Sequence, residues 1–173
     1  MKVFLILLLS IIVSFSINAS KIQFMGKPLG CLYSEMDQFL LSKGFKYLEE
    51  DSNIYFYQGQ FGGDNTEIAV YVSPKTKLIY RLCVLYTNFQ GDYKDEVFMK
   101  LLMNKKEILY EFFIKKYGNP NTVLDESIIW NVGEDGLIII DTTENLVDTM
   151  QLIIEYVDLV LMDKAEQEIL MDY

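Results

Sequence analysis

The sequence predicts an α+β fold: two tandem α-β-β-β units that build an antiparallel sheet, with helices packed on one face and a short C-terminal helix. Three observations carry this expectation. Segments with helical apolar spacing are followed by apolar runs of strand length, turn-forming residues separate the runs, and the order helix, run, run, run occurs twice. With 51% of residues apolar and 14% aromatic, the chain has enough material for a core and does not read as disordered.

The chain opens with Lys2 and a nearly uninterrupted apolar run from Val3 to Ile17, followed by Asn18-Ala19-Ser20 and the charged Lys21. One positive residue, an apolar stretch shorter than the roughly 20 residues that span a bilayer, and small residues at the exit predict a signal peptide over 1–19. Cleavage after Ser20 is the rival, and an uncleaved tether is the alternative use of the same run. Leu29-Gly30-Cys31 has the ending of a lipid-attachment box, but Pro28 stands where an aliphatic residue belongs, and Lys21 and Lys27 separate it from the apolar run. The expected location is therefore periplasmic or secreted, with residues 20–173 as a single α+β domain.

The first unit covers about 26–88. Residues 30–43 read as a helix, because Leu32, Met36, Phe39 and Leu40 recur at helical spacing and Gly44 stands where a helix ends. Runs at 54–58, 68–72 and 78–86 follow, divided by a segment with three glycines (59–65) and by Ser73-Pro74-Lys75-Thr76-Lys77, so they predict an antiparallel meander. The second unit covers about 92–173. Residues 95–117 predict a long helix, with Val97, Leu101, Ile108, Phe112 and Phe113 along its apolar side and Gly118-Asn119-Pro120 closing it. Strands follow at 128–132, 137–140 and 150–157, the first two joined by the turn Gly133-Glu134-Asp135-Gly136, and residues 164–171 predict the terminal helix.

At this point the chain resembles a known architecture, the tandem helix-plus-meander fold of the beta-lactamase inhibitor protein family, which the SmpA/OmlA outer-membrane assembly lipoproteins share. The residues behind the resemblance are Gly26-x-Pro28-Leu29-Gly30 before the first helix, Lys43-Gly44-Phe45 after it, and Lys116-Tyr117-Gly118-Asn119-Pro120 after the second. The same punctuation is similar to that of small uncharacterised secreted bacterial proteins. The chain departs from the lipoproteins in its lipid box and from the inhibitor in having no cysteine pair within each unit. The resemblance implies a binding scaffold, with the function set by whatever the sheet presents.

Composition narrows the chemistry. There is no histidine, which removes Ser-His-Asp and Cys-His nucleophiles, histidine-ligated zinc and imidazole acid/base catalysis. No Gly-x-Ser-x-Gly elbow, phosphate-cradling Gly-x-x-x-x-Gly-Lys or Ser-x-x-Lys is present either. Fifteen basic against 25 acidic residues give a formal charge of −10, or −11 without Lys2. An acidic surface repels phosphate backbones and anionic bilayers, so neither nucleic acid nor a membrane is the expected partner after signal cleavage. The carboxylates near turns, Asp64 with Glu67, Asp125 with Glu126 and Asp141 with Glu144, lack Ca²⁺-loop spacing and read as solvated or capping groups. No cofactor and no metal are expected.

Cys31 and Cys83 lie in a chain expected to be exported, where a single disulfide would close a long loop and contribute about 3 to 4 kcal/mol. The plain alternative is two buried thiols acting as small hydrophobes. Period-two reading places Ile54, Phe56, Ile68, Val70, Val72, Leu82 and Val84 toward the helices, and Tyr55, Tyr57, Tyr71 and Arg81 on the opposite face. Tyrosine and arginine suit recognition, so these four are the candidate binding residues, while Trp130 shares its face with Ile128 and Val132 and reads as core. The expected function is a non-catalytic interaction or inhibitor-like module whose open sheet face binds a protein or peptide. An envelope-assembly component and, more remotely, a carboxylate hydrolase are the alternatives.

Overall fold

The computed structural model describes residues 22–92, 94–144 and 149–171, so the expected signal segment 1–19 lies outside the described residues. Its main feature is an eight-stranded antiparallel sheet with a separate two-stranded hairpin beside it. The hairpin, β1 (Gln23–Phe24) and β2 (Lys27–Pro28), turns at Met25-Gly26 and leads into helix α1 (Tyr33–Ser42). Four strands follow: β3 (Lys46–Asp51), β4 (Ile54–Phe61), β5 (Asp64–Val72) and β6 (Ile79–Asp92). Helix α2 (Glu96–Tyr117) then precedes β7 (Thr122–Val123), β8 (Ser127–Val132), β9 (Gly136–Glu144) and β10 (Thr149–Asp158), and α3 (Leu159–Leu170) closes the order.

Each long helix is thus followed by four strands where the sequence predicts three. The added strands, β3 and β7, are the two edges of the sheet, whose order is β3-β4-β5-β6-β10-β9-β8-β7. An edge strand needs to bury neither face. Lys46-Tyr47-Leu48-Glu49-Glu50-Asp51 accordingly shows no alternation and is exposed throughout. Two-residue loops fix the register of the first meander. Ser52 and Asn53 (φ 52° and 65°) join β3 to β4, and Gly62 and Gly63 (φ 62° and 88°) join β4 to β5, both with the positive φ values that a twisted hairpin requires.

One face of the sheet carries the core. Ile68 and Val70 of β5, Leu82, Val84 and Tyr86 of β6, Leu152, Ile154 and Tyr156 of β10 and Ile138 and Ile140 of β9 pack under the hairpin, α1 and α2. Met36 and Leu40 seal α1, while Leu102, Leu109 and Phe113 seal α2. Asp95 caps α2, its carboxylate accepting from the backbone N–H of Val97 (2.9 Å) and Phe98 (3.2 Å). Trp130 is buried, as the sequence predicts, and donates its indole N–H to the Gly118 carbonyl at 2.9 Å, tying β8 to the end of α2. Gly136 has no room for a side chain, since a Cβ there would lie 2.4 Å from Ile22.

Helix α3 departs from the one-face arrangement. It turns back from β10 onto β6 and β10, and Glu168 accepts hydrogen bonds from the Ser73 hydroxyl and from the Lys75 N–H (2.9 Å). Its buried Ala165 stands outside the main core cluster, as does Val157, which opposes Arg81 on the far face of the sheet. We read α3 as a cap over one end of that second face.

Candidate interaction surface

Cross-strand partners share a face, so the ladder register maps the second face directly. Ile54 opposes Tyr71 and Phe56 opposes Ala69 between β4 and β5; Tyr71 opposes Arg81, Ala69 opposes Cys83 and Glu67 opposes Leu85 between β5 and β6. The face continues across the centre, where Cys83 meets Glu155 and Leu85 meets Ile153, and then into β9, where Glu155 meets Ile139 and Ile153 meets Asp141. Ile54, Phe56, Leu85, Ile139 and Ile153 are all partly exposed. The result is a half-covered apolar strip running through the middle of the sheet, with acidic Glu49 and Asp51 beside it on edge strand β3.

Two of the four candidate binding residues are on the wrong side of the sheet for the expected role. Tyr55 and Tyr57 face the helices and are buried, at 8% and 0% exposure, while Ile54 and Phe56 take the opposite face. The hydroxyls explain how tyrosine fits a core position. Tyr57 donates to the Asp37 carboxylate of α1 at 2.8 Å and so receives the bond from Tyr33 at 3.1 Å, and the Tyr33 and Tyr55 rings stack with centroids 3.7 Å apart. Burial pushes the Tyr55 phenol up to about 12 and raises Tyr57 further, with the Tyr33 and Asp37 contacts adding to the effect at Tyr57.

Tyr71 and Arg81 do lie together on the second face. The Arg81 guanidinium sits 4.8 Å from the Tyr71 ring centroid and pairs with Glu155 at 2.8 Å. Cys83 lies on the same face, where burial first and Glu155 second push its thiol up to about 11. Such a thiol is a poor nucleophile.

Of the two readings of the cysteines, the structure has the free thiols and not the bridge: Cys31 and Cys83 are both unpaired and partly buried. The Cys31 carbonyl accepts from the Ile79 N–H at 3.1 Å, which fixes Cys31 at the start of β6. Cys83 lies four positions farther along, roughly 10 to 13 Å away at strand rise, beyond the approximately 7 Å that a bridge can span. Its side chain also points to the opposite face from Ile79.

On α2, four of the five apolar positions that the sequence assigns to one side face outward: Val97, Leu101, Ile108 and Phe112 are 70%, 55%, 62% and 52% exposed, whereas Phe113 is buried together with Leu102, Lys106 and Leu109. The helix carries more apolar positions than its core contact uses, a surplus legible in the sequence that signals an outward-facing stripe. Beneath α2 lies a groove of about 440 Å³ lined in part by Met103, Tyr110, Val123 and Leu124. At its floor the buried Lys106 donates to the carbonyls of Asp125 (2.9 Å) and Glu126 (2.8 Å), and burial lowers its pKa against the pull of Asp141, Glu126 and Asp125. This lysine staples the turn that enters β8.

The carboxylates do not converge. Asp64 pairs with Lys105, and Asp141 accepts from the Ser127 hydroxyl at 2.8 Å. Among the described residues, no three acidic or thiol side chains are placed to hold one metal ion. Comparison of the chain with known protein families, with curated proteins and with solved structures finds no match.

Proposed function

We propose that the chain is an exported, non-catalytic interaction module that binds a protein or peptide with the second face of its sheet. The observation that carries this reading is the strip of Ile54 and Phe56 on β4, Ala69 on β5, Leu85 on β6, Ile153 on β10 and Ile139 on β9, partly exposed on one face of five neighbouring strands. Isolated apolar residues on a surface are ordinary, but a contiguous strip points to a partner. Tyr71 and Arg81 stand at the capped end of the strip, and the acidic residues Glu49, Asp51, Glu67, Asp141 and Glu155 share the face, so it fits a partner with an apolar centre and basic surroundings. The order of a helix and a meander, twice over, supports the tandem-unit reading and the likeness to the inhibitor and assembly-lipoprotein scaffolds.

The test is a crosslinked pull-down from periplasm or culture fluid with the wild type and with a Phe56→Glu, Leu85→Glu variant checked for folding by circular dichroism. The expected result is a reproducible partner whose binding weakens at least about tenfold in the variant, the scale of losing buried apolar anchors. Tyr71→Ala should weaken it as well. Undiminished binding of every recovered partner by the folded variant would remove the face from consideration.

A further inference from the structure

The outward stripe of α2 is separate from the sheet face and has a symmetry of its own. Val97, Leu101, Ile108 and Phe112 are spaced by four, seven and four residues, a pattern that reads the same in either direction along the helix. At about 100° per residue all four fall within one narrow sector of the helix, over a length of roughly 22 Å. A two-fold axis through the helix midpoint therefore brings Val97 against the partner's Phe112 and Leu101 against the partner's Ile108, closing the stripe on itself.

The flanking charges agree. Lys100, Glu107 and Glu111 lie along one flank of the stripe, all exposed and with no ion pair among the described residues. Glu107 and Glu111 are four apart, a like-charge pair that weakens an isolated helix. The same axis keeps this flank opposite its own copy and sets each Lys100 level with the gap between the partner's Glu107 and the partner's Glu111. We propose that α2 is a self-association surface through which two copies of the chain pair antiparallel.

One helix from each copy buries less than the roughly 1,200 Å² of a standard interface, so the dimer is weak and dilution separates it, with dissociation in the micromolar range or above. Sedimentation of the full chain from about 1 μM to 1 mM should show a monomer–dimer equilibrium. Ile108→Glu places a charge at the apolar centre and should weaken the dimer at least about a hundredfold. Lys100→Glu alone, and the double change Glu107→Lys with Glu111→Lys alone, each set like charges together and should weaken it about tenfold. Mixing those two charge variants restores opposite signs on both sides of the axis and should recover the wild-type affinity. A wild type that stays monomeric over the whole range, an association that survives Ile108→Glu, or a mixture no tighter than its components would each overturn the proposal.

Discussion

Tyr57 shows at the level of one side chain why the sequence of β4 does not mark which of its faces is buried. Ile54-Tyr55-Phe56-Tyr57 is apolar or aromatic at every position, so period two has no contrast to work with, and amphipathic tyrosine looks like the outward partner. The chain instead buries the tyrosines because α1 supplies Asp37 and Tyr33 as partners for the Tyr57 hydroxyl and the Tyr33 ring as a stacking surface for Tyr55, a long-range provision that β4 itself does not reveal. Tyr57→Phe leaves the ring and removes the donor to Asp37, and should cost about 1 to 2 kcal/mol of stability. Tyr57→Ser also empties the ring's volume and should cost about 3 to 5 kcal/mol. Urea denaturation measures both. An unchanged midpoint for Tyr57→Phe would mean that the Asp37 bond contributes nothing net.

Among the elements, α3 has the docking contact most directly tied to pH. Its Glu168 carboxylate is held below the usual value of 4.5, first by the Ser73 hydroxyl and then by the Lys75 N–H. A carboxyl whose folded pKa is lowered contributes stability above its unfolded pKa and loses it as pH falls through the lowered value. The group is near the surface, so the loss falls on the docking of α3 rather than on the whole fold. Hydrogen-exchange protection across 159–170 should therefore drop between pH 5 and pH 3 while amides in β6 and β10 stay protected, and Glu168→Gln should flatten the change. Equal protection of α3 at both pH values would show that Ser73 and Lys75 do not hold it. What the sequence reveals about elements follows from burial. Strands β4, β5, β6, β8, β9 and β10 and both long helices are legible because each is an apolar segment of the right length that reaches the core and is bounded by turn residues. Strand β3 is legible only through its partner β4, since a charged edge leaves no periodic mark, and β7 is two residues long. On α2 two apolar stripes compete, so Val97, Leu101, Ile108 and Phe112 look like core positions in the sequence, and only the packing decides that Leu102 and Leu109 go inward beside Phe113.

For the whole molecule, the central fact is that the two four-strand meanders meet through their last strands, β6 against β10, in the middle of the sheet. Residues 81–92 thereby pair with residues 149–157, a non-local ladder that forms only after the rest of the chain is drawn together. The halves also cross over each other. Ile22 packs beside Gly136, Ser73 binds Glu168 and Asp64 pairs with Lys105, so each half completes its packing on the other. A first half cut after Asp92 would expose the 14-residue strand β6 as an open edge and lose the covering of α2 and α3. Fragments divided between Asp92 and Lys94 should consequently be unfolded or aggregated when expressed singly, and should recover the β-sheet circular dichroism and a cooperative melt only when refolded together. If the first fragment alone melts cooperatively with native-like sheet content, the β6–β10 seam joins two independent folding units, and the single-domain account of residues 20–173 fails.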